Sequence, residues 1–166
     1  LECQGVDLKK YPKLWTAGLL GSKEGHAQLL NAHLSYLNAG ADIILTASYQ
    51  TSADTKKDLL AASVDLAIEA RDTVSKGKVF VSLGPWGATQ ADGSEYTGNY
   101  PSESGEDFLF QFHKTRLSLL LENRSVDGLA FETIPSTVEL SAILKLLATD
   151  QFNFPTWISF STPNGT

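Results

Sequence analysis

A chain of 166 residues is long enough for one domain with a true core, and 42% hydrophobic against 19% charged residues describes a globular protein. Its net charge of -6 supplies no basic stripe to neutralise phosphates, which argues against nucleic acid as a partner, and no apolar run approaches bilayer length, which argues against a membrane span. The single cysteine, Cys3, excludes an internal disulfide and a site built from several thiolates.

Residues 1–20 predict a helix followed by a loop, punctuated by Pro12 and Gly18. A helix over 24–38 follows from Ala27, Leu30, Leu34 and Leu37, which recur at three- and four-residue spacing, and Gly40 offers the left-handed stop. The apolar run 42–48 reads as a strand. A second helix over 54–75 buries Leu59, Leu60, Val64, Ala67, Ile68 and Val74, and Gly77 separates it from a strand at 79–83. The stretch 90–104, rich in Gly, Ser, Asp and Tyr and without periodicity, predicts a long loop of the kind that carries function. A helix over 106–122 carries Phe108, Phe112, Leu119 and Leu120, and a strand follows at 126–132. Ser136 with Glu139 three residues on predicts a capping box that opens a helix over 137–148. The strand 156–162 comes last. There is no methionine, and Pro163-Asn-Gly-Thr166 stands where this alternation would next place a helix. Both features predict a piece of a longer protein. Two Asn-x-Ser/Thr triplets, at Asn123 and Asn164, are of a kind that arises often by chance.

Helix and strand therefore alternate four times, and the strands read apolar on consecutive positions, as strands of a parallel α/β sheet do. An open doubly wound sheet usually carries a glycine-rich phosphate turn after its first strand, and none is present. A complete (β/α)8 TIM-type barrel takes about 250 residues, so the chain should supply roughly its first half.

Functional groups of such folds gather past the carboxyl ends of the strands, where Thr46, Ser48, Tyr49, Trp86 and Glu132 fall. A carboxylate at the mouth of an apolar strand needs a cation. For Glu132 that cation is a ligand, or else the residue is structural, capping a neighbouring helix or pairing with Arg116. Thr46 and Ser48, two apart, present their hydroxyls to one side, either to a shared ligand or as small filler. Tyr49, Trp86, Tyr96 and Tyr100 form either an aromatic wall or loop packing. Asp92 and Glu95 read as a solvated loop rather than an acid/base pair. His26, His33 and His113 show no metal-ligand spacing and read as surface or packing residues. No residue is assigned a catalytic or a metal-ligating role.

Several stretches in order carry a resemblance: Leu1-Glu-x-x-Gly5, Leu14-Trp-Thr-Ala17, Ala39-Gly-Ala-Asp42, Thr46-Ala-Ser-Tyr-Gln-Thr-Ser52, Leu83-Gly-Pro-Trp-Gly-Ala88, Ala91-Asp-Gly-Ser-Glu-Tyr-x-Gly-x-Tyr100, Phe112-His113 and Phe131-Glu-Thr-Ile-Pro135. Together they resemble the homocysteine S-methyltransferase family, at its S-methylmethionine-using end. The resemblance implies a barrel that transfers methyl from a sulfonium donor, S-methylmethionine or S-adenosylmethionine, to homocysteine. It also implies a Zn2+ ion on three cysteines, at which the thiol becomes thiolate; the mildly acidic balance separately predicts a cytoplasmic protein. None of those cysteines is in this sequence, nor is the aspartate-glycine pair of the family's first strand, and the stretch after Gln50 is short for the family. By resemblance Glu132 takes the amino acid's α-ammonium, Thr46 lies against that amino acid, and residues 1–166 form one partial homocysteine-binding barrel domain. A non-catalytic, zinc-free short paralogue acting as a binding or assembly module is the alternative. Nothing in the sequence sets an oligomeric state.

Overall fold

The computed structural model describes residues 1, 2 and 5–162; Cys3 and the triplet at Asn164 lie outside the described residues. Among the described residues of 1–20 there is no α-helix; they fold into short 3-10 turns, Leu8–Lys10 and Trp15–Gly21. The physical reason is local. Pro12 lacks a donor, and Gly18 lies so close to the Tyr11 ring that a Cβ there would meet it at 2.3 Å. The elements that follow are α1 (Lys23–Asn38), β1 (Ile43–Leu45), α2 (Lys57–Val74), β2 (Lys78–Leu83), the short α3 (Ser94–Thr97), α4 (Glu106–Leu121), β3 (Gly128–Ile134), α5 (Thr137–Leu147) and β4 (Thr156–Phe160). Ser22 caps α1 through a bond from Gly25 N, and Gly40 leaves that helix at φ 103°.

The four strands are parallel and ordered β1-β2-β3-β4, each beside its predecessor in the chain. Alternate strand residues such as Ile44, Val79, Val81, Leu83, Leu129 and Phe131 join Leu60, Val64, Leu117 and Ile143 of the helices in one continuous core. One face of the sheet is thus covered by helices. The other face carries Phe80, Ser82, Ala130, Glu132 and Trp157. Sequential order with helices on a single face is the wall of a (β/α)8 barrel, and it excludes the doubly wound alternative. Beside β1, a cavity of about 620 Å³ opens between its outer edge and α1. His33 lines it, with burial lowering that imidazole to about 4.

On the concave face Phe80 and Trp157 stack at 4.9 Å, spanning the strand between them. They can do so because that strand places Gly128 beneath them: a Cβ there would meet the Phe80 ring at 2.3 Å and Pro155 O at 2.6 Å. Gly128→Ala should therefore cost about 1–3 kcal/mol by overpacking. Thermal unfolding checks it, and an unchanged melting temperature would show that the ring yields freely.

Near its end β3 departs from simple alternation. Phe131 pairs with Ile158 but Ile134 with Phe160, so two residues of β3 oppose one of β4. Thr133 is the extra residue, at φ 65°, a conformation that β-branched side chains rarely adopt. This bulge keeps both Phe131 and Ile134 in the helix-side core. Glu132 and Thr133 are left at the carboxyl end of the sheet.

Candidate functional site

Three strand ends meet at the mouth of the sheet. Ser82 N donates to Thr46 Oγ1 at 3.0 Å, and Ser48 Oγ donates to Ser82 O at 2.7 Å. Thr46 Oγ1 and Ser48 Oγ are 2.6 Å apart. Because the Ser48 hydrogen is already engaged, the Thr46 hydroxyl is the donor in that contact. The result is a closed ring of hydrogen bonds, Ser82 N–H to Thr46 to Ser48 to Ser82 C=O, that staples the end of β1 to β2. All three residues are buried. Both side-chain hydroxyl hydrogens of Thr46 and Ser48 are spent within the protein, and Ser48 is 0% exposed, so of the two only Thr46 keeps a lone pair near the surface of the mouth.

Ser82 Oγ extends this ring by donating to Glu132 Oε2 at 3.3 Å. Glu132 is half-buried and lies on the concave side of the sheet, facing away from the helices. Arg116, the structural partner weighed for it, points elsewhere, to Thr51 O, Gly84 O and His113. Among the described residues no ion pair engages the Glu132 carboxylate.

Tyr49 packs its ring against Gly84, where a Cβ would meet it at 2.9 Å, and Gly84 N donates to Tyr49 O at 3.2 Å. Burial raises the Tyr49 phenol above its ordinary value; contact with the Thr133 side chain opposes this, and the nearby Glu95, Tyr96 and Glu132 add to it. The phenol therefore keeps its proton. Glu95, read from the sequence as a solvated loop residue, is half-buried, and its Oε2 has no partner among the described residues. Asp92 does lie on the surface, accepting from Ser94 N.

Trp86 belongs to a different group. Its indole meets Tyr100 edge-on at 4.9 Å and Phe108 at 5.8 Å, and it lines a groove of about 400 Å³ with Phe108, Phe112, Gln111, Ser52 and Asp54. Thr46, Ser48, Tyr49 and Glu132 thus come together around Ser82, with Trp86 one turn of chain away.

Beneath the mouth lies a polar cluster that the hydrophobic pattern conceals. His113, Arg116 and Glu139 are each 0% exposed. Glu139 Oε1 accepts from Trp86 N at 2.7 Å and from His113 Nε2 at 2.8 Å, while Oε2 accepts from Tyr100 Oη at 2.7 Å. Ser136 Oγ does accept from Glu139 N, as the capping box predicts, but the carboxylate turns inward instead of reaching back. Burial would raise the Glu139 carboxyl, and the bonds from His113, Trp86 N–H and Tyr100 outweigh it, leaving it below its ordinary value. Burial lowers His113, and lowers Arg116 to about 10. Of the two expectations for His113, surface or packing, it is packing, with both ring nitrogens bonded as well. The signal was present: residues 109, 113, 116, 117 and 120 form a perfect helical stripe, and two of its members are polar.

Among the described residues no group of three or more His, Cys, Asp or Glu side chains could hold a metal ion, and Cys3 lies outside them. The zinc implied by the resemblance does not fit the residues described. No helix among them is long and apolar enough to cross a membrane.

One result can be expected from the ring itself. Thr46→Val in the complete protein should cost about 1–3 kcal/mol, since Ser82 N–H loses its acceptor in a dry place, whereas Thr46→Ser should stay near the parent. Denaturant midpoints for the pair check this; equal midpoints would show that the staple carries no stability.

Known proteins give a consistent comparison. A family model described as homocysteine S-methyltransferase matches residues 2–166. Homocysteine S-methyltransferase 2 of Zea mays is 39% identical over 187 residues, covering 99% of this chain and 54% of that protein. Homocysteine S-methyltransferase YbgG of Bacillus subtilis (strain 168) is 38% identical, covering 99% of this chain and 56% of its own. These alignments are longer than the chain, so the relatives carry residues within the matched span that it lacks. The homocysteine methyltransferase MmuM from Escherichia coli, in oxidized and metallated forms, superposes with a TM-score of 0.83 at 32% identity, over 98% of this chain and 59% of that one. The chain spans about half the length of the curated relatives it matches.

Proposed function

The chain belongs to the homocysteine S-methyltransferase family, and from that membership we propose that the complete protein transfers a methyl group from a sulfonium donor to homocysteine, releasing methionine. Residues 1–166 then act as a single partial homocysteine-binding barrel domain whose part is to grip the amino acid.

The observation that carries this reading is Glu132, on the concave side of the sheet, tied through Ser82 to the hydroxyl ring and without an ion pair among the described residues. An α-ammonium brings three N–H donors. A carboxylate from Glu132 and the spare lone pair of Thr46, which Ser48 holds in place from behind, are the complement that such a group needs. Tyr49, protonated and beside Glu132, stands where it can close one wall of the pocket and face the positive sulfur of the donor. Trp86, which lines the neighbouring groove with Phe108 and Phe112, is the second aromatic we assign to the donor.

In the transfer, a lone pair of the homocysteine thiolate attacks the methyl carbon, the bond from that carbon to the donor sulfur breaks, and its electron pair returns to that sulfur. The sulfonium thereby becomes a neutral thioether. No group of this chain has to move a proton in that step. Its residues contribute by holding the acceptor in line with the methyl group, which is catalysis by positioning. Zinc is the metal we propose for the complete protein, with ligands outside the described residues; the metallated Escherichia coli structure supports a metal in such an enzyme. S-methylmethionine and S-adenosylmethionine are both fitting donors, and we place the reaction in the cytoplasm.

The test is a methyl-transfer assay on the complete, metal-replete protein with each donor in turn. Methionine formation that depends on homocysteine is expected. No turnover with either donor would overturn the proposal.

A further inference from the structure

We propose that His113 is a positioning residue: locked as a neutral imidazole between Arg116 and Glu139, it fixes the Gly84–Trp86 turn against the mouth of the barrel. The kinetic part of this inference rests on the function proposed above; the structural part does not.

Hydrogen bookkeeping assigns the tautomer. Arg116 NH2 donates to His113 Nδ1 at 3.1 Å. A guanidinium has hydrogens only, so Nδ1 must present its lone pair. The one proton of a neutral ring is then on Nε2, where it meets Glu139 Oε1 at 2.8 Å. Donation runs in one direction, from cation through imidazole to anion.

The two ends of this relay hold the same turn. Arg116 NH2 also donates to Gly84 O at 2.7 Å, and Glu139 Oε1 accepts from Trp86 N at 2.7 Å. Both bonds involve a charged partner and are correspondingly strong. Arg116 NH1 adds Thr51 O, from the loop after β1, at 3.0 Å. Tyr100 adds its hydroxyl at the other carboxylate oxygen. Helices α4 and α5 and the loops after β1 and β2 are therefore tied to one buried cluster.

His113 is the link that makes the cluster continuous, because no direct bond joins Arg116 to Glu139 among the described residues. An imidazole suits the gap by presenting an acceptor and a donor on opposite sides of a rigid ring. A glutamine amide can imitate both on a softer chain, and leucine can imitate neither. The turn matters to the mouth because Gly84 packs on Tyr49, and Tyr49 stands beside Glu132. A shift of the turn passes to Tyr49, and misplacements of about 1 Å can cost on the order of a hundredfold in rate.

The experiment uses the complete protein with 15N-labelled histidine, together with His113→Gln and His113→Leu. The His113 nitrogens should report a neutral ring protonated at Nε2. The charged and titratable groups facing it are Arg116 on its own helix, Glu139 from α5, and Tyr100 beyond that carboxylate. A ring protonated at Nδ1, or an imidazolium at neutral pH, would overturn the relay. The backbone amide resonance of Trp86 should move in the leucine variant and return most of the way in the glutamine variant. An amide that stays put in both variants would overturn the positioning role. With homocysteine as substrate, the leucine variant should lose on the order of tenfold to a hundredfold in kcat/KM, and glutamine should recover most of it. Equal losses in the two variants would count against positioning. Should leucine fail to fold, the tautomer and the glutamine variant decide alone. Absence of methyl transfer in the parent would overturn the proposed function while leaving the nitrogen and amide signals to judge His113.

Discussion

Replacing Glu132 by alanine in the complete protein is expected to lower kcat/KM for homocysteine by on the order of 10²–10³, equivalent to about 3–4 kcal/mol of lost interaction with a desolvated ammonium. The loss should fall mainly on KM if the carboxylate grips substrate and transition state alike. Stability and metal content should stay close to the parent, because within the described residues Glu132 is bonded only through the 3.3 Å contact from Ser82 Oγ. Glu132→Gln should land between the two, keeping the shape and one acceptor while dropping the charge. Steady-state kinetics with homocysteine varied at saturating donor make the measurement. Unchanged kinetics in the alanine variant would remove Glu132 from the amino-acid site.

The largest stability effect is expected one layer deeper. Glu139→Leu should destabilise the protein by about 3–5 kcal/mol, because it removes the anion opposite a fully buried Arg116. His113 Nε2–H, Trp86 N–H and Tyr100 O–H would lose their common acceptor at the same time. Against a typical total of about 5–15 kcal/mol, that is a large share. Glu139→Gln, which keeps one acceptor, should lose much less. Urea midpoints for the three proteins decide it, and a leucine variant as stable as the parent would show the cluster to be dispensable. The same groups, together with His33, whose imidazole burial lowers to about 4, set an acid response. His113 is held below the ordinary 6.5 of a free imidazole and Glu139 below the ordinary 4.5 of a free carboxyl. The unfolded chain therefore binds more protons than the folded one in acid. Stability should fall as pH drops below 6.5, and further below 4.5. Melting temperatures that stay level from neutral pH into that range would contradict the buried, neutral state of His113.

Much of this architecture was legible in the sequence because it depends on local periodicity. Leu59, Leu60, Val64, Ala67 and Ile68 announce α2, and uninterrupted apolar runs announce the parallel strands. Glycine-bounded helix ends were readable for the same reason. What escaped was whatever the surroundings decide. The bulge at Thr133 arises from pairing with β4, so no count along residues 126–132 reveals it. Glu139 has the spacing of a capping residue, yet burial offers its carboxylate three donors from remote positions. His113 and Arg116 look polar and hence exposed until their shared stripe with Leu109, Leu117 and Leu120 is noticed. At the mouth, chain position alone placed Thr46, Ser48, Tyr49 and Glu132 together. Ser82 was missed because a lone serine inside an apolar strand gives no sign of bridging two neighbours.

Neighbour-by-neighbour strand order also bears on biosynthesis. From β2 onward each strand finds its pairing partner already laid down just upstream, so the sheet can grow in the direction in which the ribosome delivers it. Loop closures stay short at each of these additions. Growth of this kind moves one raw margin forward at each step, on the side where the next unit will dock.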